Sequence, residues 1–135
     1  MKFWRRGLGL LMGLGLILVN VPVWAHHSTQ AEFDFNKPIN VSGTVTRMEW
    51  INPHSYLFLD ATDNGKVTHW SFELVGPEGL RKAGMSKSDG GLKPGDTVKV
   101  SAFAAKDGTN LGFITMLVLA NGRKVHVWNN DPNAR

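Results

Sequence analysis

His26 and His27 directly follow Val23-Trp24-Ala25, a stretch with the form of a signal-peptidase site. Cleavage after Ala25 gives His26 a free α-amine beside its own imidazole, so one residue offers two nitrogens to one ion. His27 adds a second ring, and His54, which follows Asn52-Pro53, is the obvious third. Amine and imidazole nitrogens favour Cu(II) among the divalent metals, and imidazole also suits Zn(II). An unperturbed α-amine has a pKa of about 7.7 to 8.0, so a metal can displace its proton near neutral pH. The plainer account is a histidine-bearing terminus with incidental metal affinity, and a His54 ring that bonds turn backbone at the loop entry.

A second set of residues lies on one face of a hairpin. His54 to Ala61 and Lys66 to Leu74 are joined through Asp63-Asn64-Gly65, and Asn-Gly suits a two-residue type I′ turn because both residues tolerate positive φ. With Asn64 and Gly65 as the turn, Asp63 faces Lys66, Leu59 faces Trp70 and Leu57 faces Phe72. The large apolar residues then share one side without adjustment, an agreement between turn chemistry and side-chain phase. The other side carries Tyr56 across from Glu73, Phe58 across from Ser71, and Asp60 across from His69. In barrels of the OB type the second and third strands present a binding face. Tyr56, Phe58, Asp60, His69, Ser71 and Glu73 are therefore candidate ligand-binding residues. The competing account is packing, with Phe33 or Phe35 of the N-terminal arm covering the two aromatics. Asp60 and His69 read as a solvated cross-strand pair, since no serine or cysteine nucleophile stands beside them. His126 reads as a surface residue, and no catalytic residue is assigned.

The frame that must hold these groups follows from the bulk of the chain. Lys2, Arg5 and Arg6 precede an apolar run from Gly7 to Val21, which reads as residues 1–25 of a cleaved secretory leader. A membrane span takes about 20 predominantly apolar residues. This run is shorter and broken by Gly9, Gly13, Gly15 and Pro22, so no stable membrane insertion is expected after cleavage. The leader removes three of 15 basic residues and none of 11 acidic ones, which leaves a mature net charge of +1. Nucleic-acid binding would need basic residues massed on one face, and this balance argues against it. The absence of cysteine excludes disulfides, thiolate metal sites and a lipid-modified cysteine. The mature chain is thus expected in the periplasm or secreted, as one domain large enough for a modest core.

Residues 26–38 read as an extended arm, residues 39–128 as the barrel and residues 129–135 as a polar tail. Ile39, Val41 and Val45 share a face, but Met48 and Trp50 fall on the other, a phase switch that predicts a β-bulge in a long bent first strand. Gly76 to Gly84, with Pro77 near its start, reads as one short helix. Thr97 to Ala105, Phe113 to Ala120 and Lys124 to Trp128 follow as strands, separated by turns at Lys106 to Asn110 and Asn121-Gly122. Trp50, Trp70, Phe72, Phe103 and Phe113 read as core or core edge. Three strands, a helix and further strands are the order of a small all-β, OB-like Greek-key barrel.

Several segments carry a resemblance. They are Ala25-His26-His27-Ser28, Phe33-Asp34, Gly43-Thr44-Val45, Glu49-Trp50-Ile51-Asn52-Pro53-His54, Trp70-Ser71-Phe72-Glu73-Leu74 and Leu92-Lys93-Pro94-Gly95-Asp96. Across nearly the whole mature chain they resemble a domain-of-unknown-function family of small exported bacterial proteins. The resemblance implies an exported β-barrel and supplies no activity, cofactor or catalytic residue.

Three functions are therefore carried forward. The first is a periplasmic, non-enzymatic binding or accessory module holding copper or zinc through His26, His27 and His54. The second is a metal-independent adaptor for a small ligand, glycan or periplasmic partner protein on the Tyr56 to Glu73 face. The third is a copper redox enzyme with a histidine brace, ranked last because the chain is short for a substrate-sized catalytic surface.

Overall fold

The computed structural model describes residues 29–89 and 91–128. A four-residue helix, α1 (Thr29–Glu32), leads into β1 (Phe33–Glu49), β2 (His54–Asp63) and β3 (Lys66–Val75). The short helix α2 (Pro77–Lys82) comes next, then β4 (Thr97–Ala105), β5 (Leu111–Leu119) and β6 (Lys124–His126). The proposed leader and the polar tail fall outside the described residues. No helix among the described residues is long and apolar enough to cross a membrane.

The strands pair in the order β3-β2-β1-β4-β5-β6, and a parallel contact between β3 and β5 joins the sheet back on itself. The ring β1-β2-β3-β5-β4 is the closed arrangement of an OB-like barrel, with α2 between the third and fourth strands as expected. β1 serves two neighbours because it has 17 residues. Its first part, Phe33 to Thr44, pairs with β4, and its last part, Thr44 to Glu49, pairs with β2. The register slips between Val45 and Arg47, which is the bulge that the phase switch predicted. That extra residue turns Met48 back toward the core beside Val45. Gly43 stands just before the bend, where a Cβ would lie 2.7 Å from the Asp60 carbonyl oxygen, so only a glycine lets β1 and β2 approach so closely.

The β2–β3 hairpin has the register derived from its turn, with Leu59 opposite Trp70, Leu57 opposite Phe72 and Asp63 opposite Lys66. Asn64 at φ 49° and Gly65 at φ 78° supply the two positive angles of the turn. Leu57, Leu59, Phe72 and Leu74 point into the barrel, where Val45, Val98, Val100, Ile114 and Leu117 meet them and Leu80 of α2 closes one end. Burying a side chain of this size stabilises by about 1.5 to 3 kcal/mol. Closure of the ring rests on Ser71, Phe72 and Glu73 lying beside Leu111, Gly112 and Phe113. Gly112 is required there, because a Cβ would stand 2.9 Å from the Phe72 ring.

β1 begins at Phe33, inside the stretch read from sequence as a separate arm. Phe33 and Phe35 do not cover Tyr56 and Phe58. They join Phe103, Ala105, Phe113 and Trp128 in a second apolar cluster outside the barrel. The Phe33 and Phe113 ring centroids lie 5.6 Å apart, and those of Phe35 and Trp128 lie 5.2 Å apart. The end of β4, Ala102 to Ala105, is consequently buried on both faces. Alternation alone could assign it only one.

Candidate functional site

The Asn52-Pro53 peptide is cis, and the corner it makes delivers His54 at the first position of β2. Gly76 packs against this corner. A Cβ on Gly76 would lie 2.6 Å from the Pro53 carbonyl oxygen, so the start of α2 and the start of β2 can touch only through glycine. From there His54, Tyr56, Phe58 and Asp60 fall on one face of the hairpin, opposite Glu73, Ser71 and His69 as derived.

That face divides into two parts. At the outer end Asp60 Oδ1 lies 2.6 Å from His69 Nδ1, with the His69 side chain 81% exposed, which is the solvated pair expected. Phe58 is covered by Arg47, whose guanidinium carbon sits 4.0 Å from the ring centroid. The inner end is different. Glu73 is only 5% exposed, and its two oxygens are shared between His54 and Tyr56. His54 Nδ1 lies 2.5 Å from Oε1, and the Tyr56 hydroxyl donates to Oε2 at 3.4 Å.

Burial pushes the Glu73 carboxyl above its ordinary value of 4.5. The facing His54 pulls it back, the charge of Glu32 raises it again, and the Tyr56 hydroxyl lowers it slightly. Burial likewise raises the Tyr56 phenol, with Glu73, Glu32 and Glu49 adding to the effect. Glu49 lies opposite Tyr56 in the β1–β2 register, and Glu32, at the end of α1, acts on both groups through its charge. Neither acid was identifiable as part of the site from sequence. The bulge displaces Glu49 from simple alternation, and nothing in the local pattern of residues 29–32 marks the placement of Glu32.

With Glu73 ionised it accepts from Nδ1–H of His54, so a neutral His54 ring carries its lone pair on Nε2. A buried carboxylate behind one imidazole nitrogen is the arrangement that orients metal-ligating histidines and raises their basicity. Among the described residues no group of three His, Cys, Asp or Glu side chains is placed to hold an ion. His26 and His27 lie outside the described residues, so the structure brings together His54, Tyr56 and Glu73 and leaves the other two nitrogen donors unplaced.

The model of a family described as a family of unknown function, DUF6152, matches residues 14–115. The chain belongs to DUF6152. The expected membership of a domain-of-unknown-function family is therefore met. The DUF6152 match takes in His26 and His27, both strands of the site hairpin, and the part of β5 that closes the barrel. No curated protein matches the chain.

Proposed function

We propose that this DUF6152 protein is an exported, non-enzymatic binding module that holds a copper or zinc ion through His54 and the histidines of its processed terminus. The observation that carries this proposal is the His54–Glu73 pair: a half-exposed imidazole backed by a buried carboxylate, with Nε2 left to bind. The His26 amine and ring and the His27 ring supply the remaining nitrogens. Reach also supports it. Two residues, His27 and Ser28, separate His26 from Thr29 at the start of α1, and an extended chain covers about 3.3 to 3.6 Å per residue. α1 ends at Glu32, whose charge acts on Glu73 and Tyr56, and this supports a terminus within reach of His54.

The test is calorimetry with Cu(II) and Zn(II) on protein shown by mass spectrometry to begin at His26, against a form with one added residue before it. The added residue should weaken binding by about tenfold or more, since 1.4 kcal/mol of lost coordination is a factor of ten. Equal affinity of the two forms would reject a role for the α-amine.

One observation favours the metal-independent adaptor as a second function. Phe33 and Phe35 pack elsewhere, so among the described residues no aromatic of the arm covers the Tyr56 and Phe58 face. On that account Tyr56→Ala with Phe58→Ala abolishes co-purification of a periplasmic partner and leaves the melting midpoint within about 5 °C of the parent. A collapse of the midpoint would instead assign both rings to packing.

A further inference from the structure

The loop between β1 and β2 does more than set His54. Trp50 stands at its start, half-buried, and one edge of its indole rests on the backbone of Gly91. A Cβ on Gly91 would fall 2.6 Å from Trp50 Cζ2 and 3.0 Å from Cη2, so this seat exists only because residue 91 has no side chain. The exposed part of Trp50 opens on a groove of about 830 Å³, which Asn52, Arg81, Ser86, Lys87 and Ser88 also line. Small-molecule sites usually occupy roughly 300 to 1,000 Å³.

The loop on which the indole rests is held by its own bonds. The Gly91 amide donates to the Ser86 carbonyl at 3.0 Å, and the Ser86 hydroxyl donates to Asp89 Oδ2 at 2.6 Å. Asp89 is thereby engaged with its own loop, and Lys87 and Ser88 are presented to the groove. Glu78, the one acid on the groove wall among the described residues, lies 3.0 Å from Lys82 Nζ. That bond, and then the nearby Arg81, hold its carboxyl below the ordinary range. Arg81 and Lys87 make no ion pair among the described residues.

We infer that this groove binds an acidic saccharide, with the sugar face on the Trp50 indole and its carboxylates on Arg81 and Lys87. The two cations select an anion, and a guanidinium matches a carboxylate in geometry as well as charge. The Asn52 amide and the Ser88 oxygen, which can still accept while its hydroxyl is bonded to Ser86 Oγ at 3.0 Å, supply neutral partners for sugar hydroxyls. The position fits too, because OB barrels bind oligosaccharides with the loop that joins their first two strands. Two cations on a chain with a mature net charge of +1 fall short of the basic surface that a polynucleotide requires. The site is separate from the His54–Glu73 pair and does not depend on metal binding.

NMR titration of the protein with trigalacturonate reads the inference directly. The indole N–H signal of Trp50 should shift saturably while those of Trp70 and Trp128 stay in place. Neutral maltotriose should bind about tenfold more weakly or worse, and Arg81→Gln with Lys87→Gln should weaken trigalacturonate binding by a similar factor. Both substituted side chains are exposed, so an otherwise unchanged spectrum is expected and confirms an intact barrel. Absence of a saturable shift overturns the inference. So does an equal response to maltotriose or to a short thymidine oligonucleotide, or parental affinity in the double variant.

Discussion

Glu73→Gln is expected to weaken Cu(II) binding by about 10- to 100-fold without unfolding the protein, the usual effect of removing a carboxylate behind a metal-ligating histidine. Glutamine keeps the size and can still accept from His54 Nδ1–H through its amide oxygen. It removes the negative charge that makes Nε2 a stronger donor. Stability should move the opposite way. A carboxyl whose folded pKa lies above 4.5 resists ionisation in the folded state. This costs nothing below pH 4.5, where folded and unfolded chains are both protonated at this residue, and the full penalty applies once pH exceeds the raised folded value. The melting midpoint of the variant relative to the parent should therefore rise between pH 4 and pH 7. Affinity equal to the parent at every pH would remove Glu73 from the site, and a flat difference in midpoint would show that its burial carries no charge penalty.

Phe72→Ala should be the most damaging single change to the fold, at about 3 to 5 kcal/mol. The ring is fully buried, stacks with Trp70 at a centroid distance of 5.5 Å, and fills the space that Gly112 leaves at the barrel closure. Because the whole domain has on the order of 5 to 15 kcal/mol to lose, this one truncation consumes a large fraction of it. Urea denaturation should show a much lower midpoint with an unchanged slope. A loss below about 1 kcal/mol would mean that neighbouring side chains collapse into the gap, and that the β3–β5 contact does not depend on the ring.

The parts of this fold that were legible in the sequence are those governed by near neighbours. Asn64-Gly65 dictated a turn, the turn dictated a register, and the register put Leu57, Leu59, Trp70 and Phe72 on one side, as observed. The bulge after Val45 was legible for the same reason, as a break in period two. The His54–Glu73 contact was not. The partner directly across from His54 is Val75, so the bond to Glu73 is a diagonal one that depends on side-chain direction and burial rather than on register. The burial of Glu73 depends in turn on β5, nearly 40 residues later in the chain. The second cluster was hidden likewise, because Phe33 and Phe35 find their partners on β4, on β5 and in Trp128 rather than on the adjacent hairpin. Trp50 reads as a core-edge residue, and nothing in the sequence marks that one edge of its ring rests on Gly91 while the residue lines a groove.

The barrel is clasped by three residue pairs of parallel strand, and Glu73 is one of the six residues in the clasp. An emerging chain can complete the β2–β3 hairpin and still leave this carboxylate in water, since Leu111 to Phe113 have yet to arrive. Burial of the His54–Glu73 pair is thus tied to a long-range step of assembly, the arrival of β5, and a chain without it presents only a solvated histidine and a solvated carboxylate.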